Sequence, residues 1–177
     1  GIPVILDAKR NDIGSTAERY AVEAFVRYDA DAVTVNPYLG EESVQPYLQY
    51  QDRGTIVLCR TSNPDSGWLQ QHPAEDPVYL KVAAAAAGWN QHNNVMLVAG
   101  ATYPDELAAI RGRVGDMALL VPGVGAQGGD LASVVSGAAT ADGYGLVINA
   151  SRSIIYADSE DPAAGATAAA SELVEQM

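Results

Sequence analysis

Two apolar periods alternate along this chain. Short runs at Val4-Ile5-Leu6, Ala32 to Asn36, Thr55 to Cys59, Val95 to Ala99, Met117 to Val121 and Gly145 to Asn149 read as strands, the continuous apolar ones among them as strands covered on both faces. Between them, apolar residues recur at helical spacing. Ala17, Tyr20, Ala21, Ala24, Phe25 and Tyr28 fall on one stripe of a helix starting near Thr16. A second helix is expected over Glu41 to Gln51, interrupted or entered late because of Pro46. The others are Val78 to Trp89, a helix entered through Thr102-Tyr103-Pro104-Asp105, Asp130 to Ser136, and a closing helix from Pro162 to Glu175. Arg60 to Asp76 carries Asn63-Pro64, Ser66-Gly67 and His72-Pro73, loop punctuation over a stretch too long for a simple connector.

Six strands in strict alternation with helices mean an α/β chain with a parallel sheet, either doubly wound or closed as a barrel. The polar residues that follow the strands favour the barrel. Asp7 with Lys9, Ser62, Gln127 and Arg152 each follow the carboxyl end of a different strand, and sites assembled from many strand ends are what a TIM (β/α)8 barrel offers. Such a barrel takes eight strands and about 250 residues. The 177 residues here hold six units, so residues 1–177 are expected to form one partial TIM-barrel domain.

Charge narrows the ligand. Ten Lys and Arg against twenty-two Asp and Glu give a formal net charge of −12, which argues against nucleic acid or an anionic membrane surface. A phosphorylated ligand would have to be held by local groups. The single cysteine, Cys59, excludes an intrachain disulfide, fits a reducing compartment and reads as a buried core thiol. His72 and His92 lie in loops without acids or cysteines at ligand spacing, so no metal is expected. Trp68 and Trp89 read as packing residues. No charged-then-apolar leader opens the chain, and no run approaches about 18 apolar residues, so a cytoplasmic location is expected. The chain opens on a strand at Gly1 without an initiator methionine, the look of a truncated reading frame.

The densest chemistry is Asp7-Ala8-Lys9-Arg10-Asn11-Asp12. Alternating faces point Asp7 and Lys9 the same way, roughly 6.6 Å apart along a strand, while Asp12 falls on the loop that follows. On spacing alone the pair reads equally as a structural ion pair at a strand end. Gly123-Val124-Gly125-Ala126-Gln127-Gly128 matches G-x-G-x-x-G, but Pro122, the long loop and the single βα unit that follows argue against a dinucleotide fingerprint. Its glycines suit a backbone approaching phosphate, and Asp130 is placed to cap the next helix.

Taken with Thr61-Ser62-Asn63-Pro64, Pro122 to Asp130 and Asn149-Ala150-Ser151-Arg152-Ser153-Ile154, the segment Asp7 to Ala17 resembles, in order and over nearly the whole chain, the motifs of the orotidine 5′-phosphate decarboxylases, in their longer bacterial branch. The resemblance implies cofactor-free decarboxylation of orotidine 5′-monophosphate to uridine 5′-monophosphate. It implies Asp7, Lys9 and Asp12 as catalytic residues, with Asp12 reaching across a homodimer interface. Ile13, Thr16, Ser62, Pro64, Gln127 and Arg152 would contact substrate, the last two at its phosphate. It also implies that two N-terminal βα units, carrying a ribose-binding aspartate and a lysine near the active site, are absent. Asn11 stands where this branch leads one to expect glycine, a source of strain if the backbone there must take a positive φ. Two other readings stay open: a Mg²⁺-dependent sugar-phosphate decarboxylase or aldolase of the same superfamily, and an inactive open-barrel fragment.

Overall fold

The strands join one parallel sheet in the order in which they occur along the chain: β1 (Ile5–Arg10), β2 (Ala32–Val35), β3 (Gly54–Arg60), β4 (Val95–Ala99), β5 (Leu119–Pro122) and β6 (Leu146–Asn149). The computed structural model describes residues 1–125, 129–158 and 160–177. Sequential order with no reversal is the order of a barrel wall and not of a doubly wound sheet, which turns back at a switch point. Among the described residues β1 pairs only with β2, and β6 only with β5, so the wall is open.

Both faces of the sheet are apolar, for different reasons. On the outer face Val33, Val35, Val57, Leu97, Leu119 and Val121 share a core with residues of the helices, among them Ala21, Val44, Tyr47, Ala83, Ile110 and Val134. The inner face holds a thin second cluster of Ala32, Ile56, Val98 and Leu120, with Ile5, Leu58 and Met96 against it. Residues of opposite parity on each strand thus serve opposite faces.

The helices are α1 (Gly14–Val22), α2 (Glu41–Leu48), α3 (Gly67–Gln70), α4 (Val78–Trp89), α5 (Pro104–Val114), α6 (Leu131–Ala138), α7 (Arg152–Ile155) and α8 (Pro162–Glu175). α1 starts two residues before the expected Thr16 and passes into a π-helical turn over Glu23–Arg27, which leaves Tyr28 exposed at the end of its stripe. Pro46 does not interrupt α2. A proline inside a helix costs about 3 kcal/mol, and burial of Val44, Tyr47 and Leu48 against the sheet offsets it. The long segment after β3 contains a 3-10 turn at Pro64–Ser66 and α3. Trp89 packs against the core, but Trp68 is 75% exposed, contrary to the packing role expected for it. Asp130 caps α6 as expected, accepting from Ser133 N at 2.8 Å.

At the amino ends of the strands Arg111 joins three elements. Its guanidinium donates to the carbonyls of Ala138 at the end of α6 (2.7 Å), Met117 before β5 (2.6 Å) and Gly145 before β6 (2.9 Å). No described helix is long and apolar enough to cross a membrane.

Candidate active site

β1 and β2 lose register after Leu6. Leu6 stands opposite Val33 and Arg10 opposite Val35, so Asp7, Ala8 and Lys9 together face Thr34. Lys9 sits within this bulge at φ +49°, a left-handed backbone that costs a non-glycine residue roughly 1–3 kcal/mol and gathers at functional sites. Lys9 Nζ lies 2.6 and 2.7 Å from the two Asp7 carboxylate oxygens. The buried Thr34 hydroxyl donates to Asp7 Oδ1 at 2.8 Å and accepts from Lys9 N at 2.9 Å. Partial burial pushes the Asp7 carboxyl up, but hydrogen bonds from Lys9 and Thr34 and the Lys9 charge outweigh it, holding the group below its ordinary value. Behind the pair, Arg10 grips Glu23 at 2.6 Å and lies over the Tyr20 ring, fixing the end of β1 to the first helical layer.

Asp7 and Lys9 open into a cavity of about 410 Å³ at the carboxyl ends of the strands. Its floor is the inner-face cluster, Ile5, Leu58, Val98 and Leu120, and Thr61, Ser62, Asn63 and Asn149 supply polar groups. The segment carrying Ser62 is held from below by Arg60, which is 1% exposed. Arg60 pairs with Glu106 of α5, stacks 3.8 Å from the Tyr103 ring centroid, and donates to Thr61 O, Ser66 Oγ and Gln70 Oε1. Gln70 in turn accepts from Thr61 N at 3.0 Å. Gly100 is required beside this loop, since a Cβ there would lie 2.9 Å from both Ser62 N and Ser62 Cα.

Of the other expected site residues, those that the structure describes are not part of this cavity's lining. Asp12 follows β1 in the loop, its Oδ1 accepting from Ile13 N at 2.9 Å, and Ile13 and Thr16 are exposed beside it. Pro64 begins the 3-10 turn next to Asn63. Arg152 is the exposed first residue of α7. The next two residues, Ser153 and Ile154, line a second cavity of about 550 Å³ together with Gly125, Gly129 and Asp130. Gly129 cannot be larger, because a Cβ would lie 2.5 Å from that of Ala101. Gln127 lies outside the described residues. Asn11 does not adopt positive φ; the left-handed residue of this segment is Lys9. Asn11 Oδ1 is buried without a hydrogen-bond partner among the described residues.

Cys59 is a core thiol, its Sγ against Tyr79 O and its pKa pushed up to about 12 by burial. Thr34 is the site residue that the sequence reading passed over. Its one signal is a hydroxyl in the middle of an apolar strand.

The sequence model of the orotidine 5′-phosphate decarboxylase / HUMPS family matches residues 1–169. The chain belongs to this family. An orotidine 5′-phosphate decarboxylase of Cellvibrio japonicus is 58% identical over 179 residues, covering 99% of this chain and 66% of the relative. One from Cupriavidus necator is 59% identical over 168 residues, covering 94% and 62%. The chain therefore spans just under two thirds of the length of these curated relatives. Among solved structures, that of Leishmania donovani OMP decarboxylase matches with a TM-score of 0.88 at 43% identity, over 98% of this chain and 68% of that one. The Methanocaldococcus jannaschii decarboxylase, solved with the inhibitor BMP, matches at 0.71 and 23% identity over 97% and 73%, a likeness of fold. The open wall is six of the eight βα units of this TIM barrel.

Proposed function

We propose that the cavity at Asp7 and Lys9 decarboxylates orotidine 5′-monophosphate to uridine 5′-monophosphate. The observation that carries this reading is the ion pair itself, set in a strained bulge on the wall of a cavity with an apolar floor and polar groups at Ser62, Asn63 and Asn149. Such a cavity suits a flat heterocycle whose carboxylated carbon faces a fixed ammonium. Loss of CO2 leaves an electron pair on C6 of the ring. Lys9 stabilises that charge as it develops and then gives its proton to the same carbon, while Asp7 keeps the ammonium charged and aimed. At 4 Å a charge pair is worth about 4 kcal/mol at an effective dielectric of 20, against about 1 in water, so closure over the substrate matters.

Ser62 and Pro64 hold the pyrimidine, and Gln127 and Arg152 the phosphate. Arg152 suits the latter by its place after the last strand, where barrels commonly bind phosphate. Binding energy at the phosphate is remote from the reacting carbon and can be used there. The working form is a cytoplasmic homodimer in which Asp12, with Ile13 and Thr16, completes the site of the adjoining subunit. Replacing Lys9 with Ala separates chemistry from binding. Turnover should be lost while uridine monophosphate still binds in a calorimeter, and undiminished turnover rejects the assigned role.

A further inference from the structure

We propose that Thr34 is a positioning residue for this reaction: its hydroxyl locks the Asp7 carboxylate and the Lys9 backbone to each other, so that the ammonium is aimed from a fixed base. The inference rests on the decarboxylase reading above.

Three residues of β1 face Thr34 where an unbroken parallel ladder would place one. The bulge takes Lys9 N out of regular register, and the Thr34 hydroxyl accepts from it instead, at 2.9 Å. The same hydroxyl donates to Asp7 Oδ1 at 2.8 Å. The directions are forced: an amide N–H can only donate and an ionised carboxylate can only accept, so a lone pair of the hydroxyl goes to Lys9 and its hydrogen to Asp7. A rotor pinned at both ends carries no freedom into the site. Thr34 is fully buried between Val33 and Val35, and valine would fill the same volume. Packing therefore accounts for the methyl group but not for the hydroxyl. Without it, the left-handed Lys9 backbone loses the side-chain acceptor that satisfies its N–H, and Asp7 loses one of the two groups that orient it.

The test compares Thr34→Val, which removes the hydroxyl at nearly constant volume, with Thr34→Ser, which keeps it. The first readout is the ¹³C carboxyl titration of Asp7 by NMR. It needs no activity, and it is clean because Asp7 and Lys9 are the ionisable residues lining the cavity. Thr34→Val should move the midpoint upward and Thr34→Ser should restore it. The second readout is steady-state turnover. Thr34→Val should lower kcat by up to about 10²-fold, the cost of a small misplacement, with little change in KM, and Thr34→Ser should recover most of it. An unmoved Asp7 midpoint in Thr34→Val overturns the proposal, as does an unchanged kcat. A Thr34→Ser variant as impaired as Thr34→Val also overturns it, by assigning the effect to the methyl group. If the parent chain shows no turnover, the decarboxylase reading fails for it, and the Asp7 titration still decides whether Thr34 fixes the pair.

Discussion

At the scale of single residues, the site depends on how a few charged groups are held. Asp7 has its carboxyl below the ordinary value although burial alone would raise it. A depressed folded-state value means that the ionised form stabilises the fold above the value of an unfolded aspartate, about 3.9. That contribution is lost as pH falls through the folded value. Asp7→Asn should therefore melt below the parent protein at neutral pH, by a small margin given the exposure of the pair, and the gap should close on acidification. A gap independent of pH would contradict the account. Cys59, its thiol raised to about 12, should resist a disulfide-exchange reagent at pH 8 until the chain unfolds. The spacing of Asp7 and Lys9 was legible because a strand puts i and i+2 on one face. Thr34 was not, because its role depends on a register shift between strands that a single sequence does not display.

Elements position these residues through a small number of braces. Arg60 ties the end of β3, the Ser62 segment and α5 into one unit, so Arg60→Ala leaves Glu106 without its partner and strips several acceptors. The loss should be smaller than the about 3–5 kcal/mol of a fully buried ion pair, because Glu106 is 19% exposed and keeps a hydrogen bond from Gln71; it is measurable by urea unfolding, and uridine monophosphate should bind more weakly to what remains folded. Gly100 and Gly112 provide a sharper contrast. Alanine at Gly100 must displace the backbone of Ser62 and should weaken product binding, whereas Gly112 lies exposed in α5 with nothing within 4 Å of a Cβ. Alanine there should stabilise by about 0.5–1 kcal/mol and leave binding alone. The strands and longer helices were read from the sequence to within about three residues, the widest miss being the end of α2 at Leu48 where Gln51 was expected, because their apolar patterns run over several positions. The single turns α3 and α7 are too short to show a period. Arg152 was accordingly read as following the last strand, and the turn that it begins went unseen.

For the whole molecule, alternation of strands and helices gave the parallel sheet, and the motifs that follow the strand ends gave the barrel and its six-unit extent. How the open wall bears on activity depends on the two outer edges, at β1 and β6, and on a second copy of the chain. If Asp12 completes a neighbour's site, Lys9→Ala and Asp12→Asn chains, each inactive alone, should recover part of the turnover when refolded together, since every mixed pair holds one intact site. A chain that sediments as a monomer at assay concentrations, or a mixture as inactive as its parts, would remove the homodimer. The central claim is tested most directly by the loss of orotidine monophosphate absorbance on adding the purified 177-residue chain, with and without EDTA, beside its Lys9→Ala variant. Turnover that survives EDTA and disappears with Lys9 is the result expected of a site working through fixed charge. Turnover that EDTA abolishes, or that Lys9→Ala retains, would contradict it.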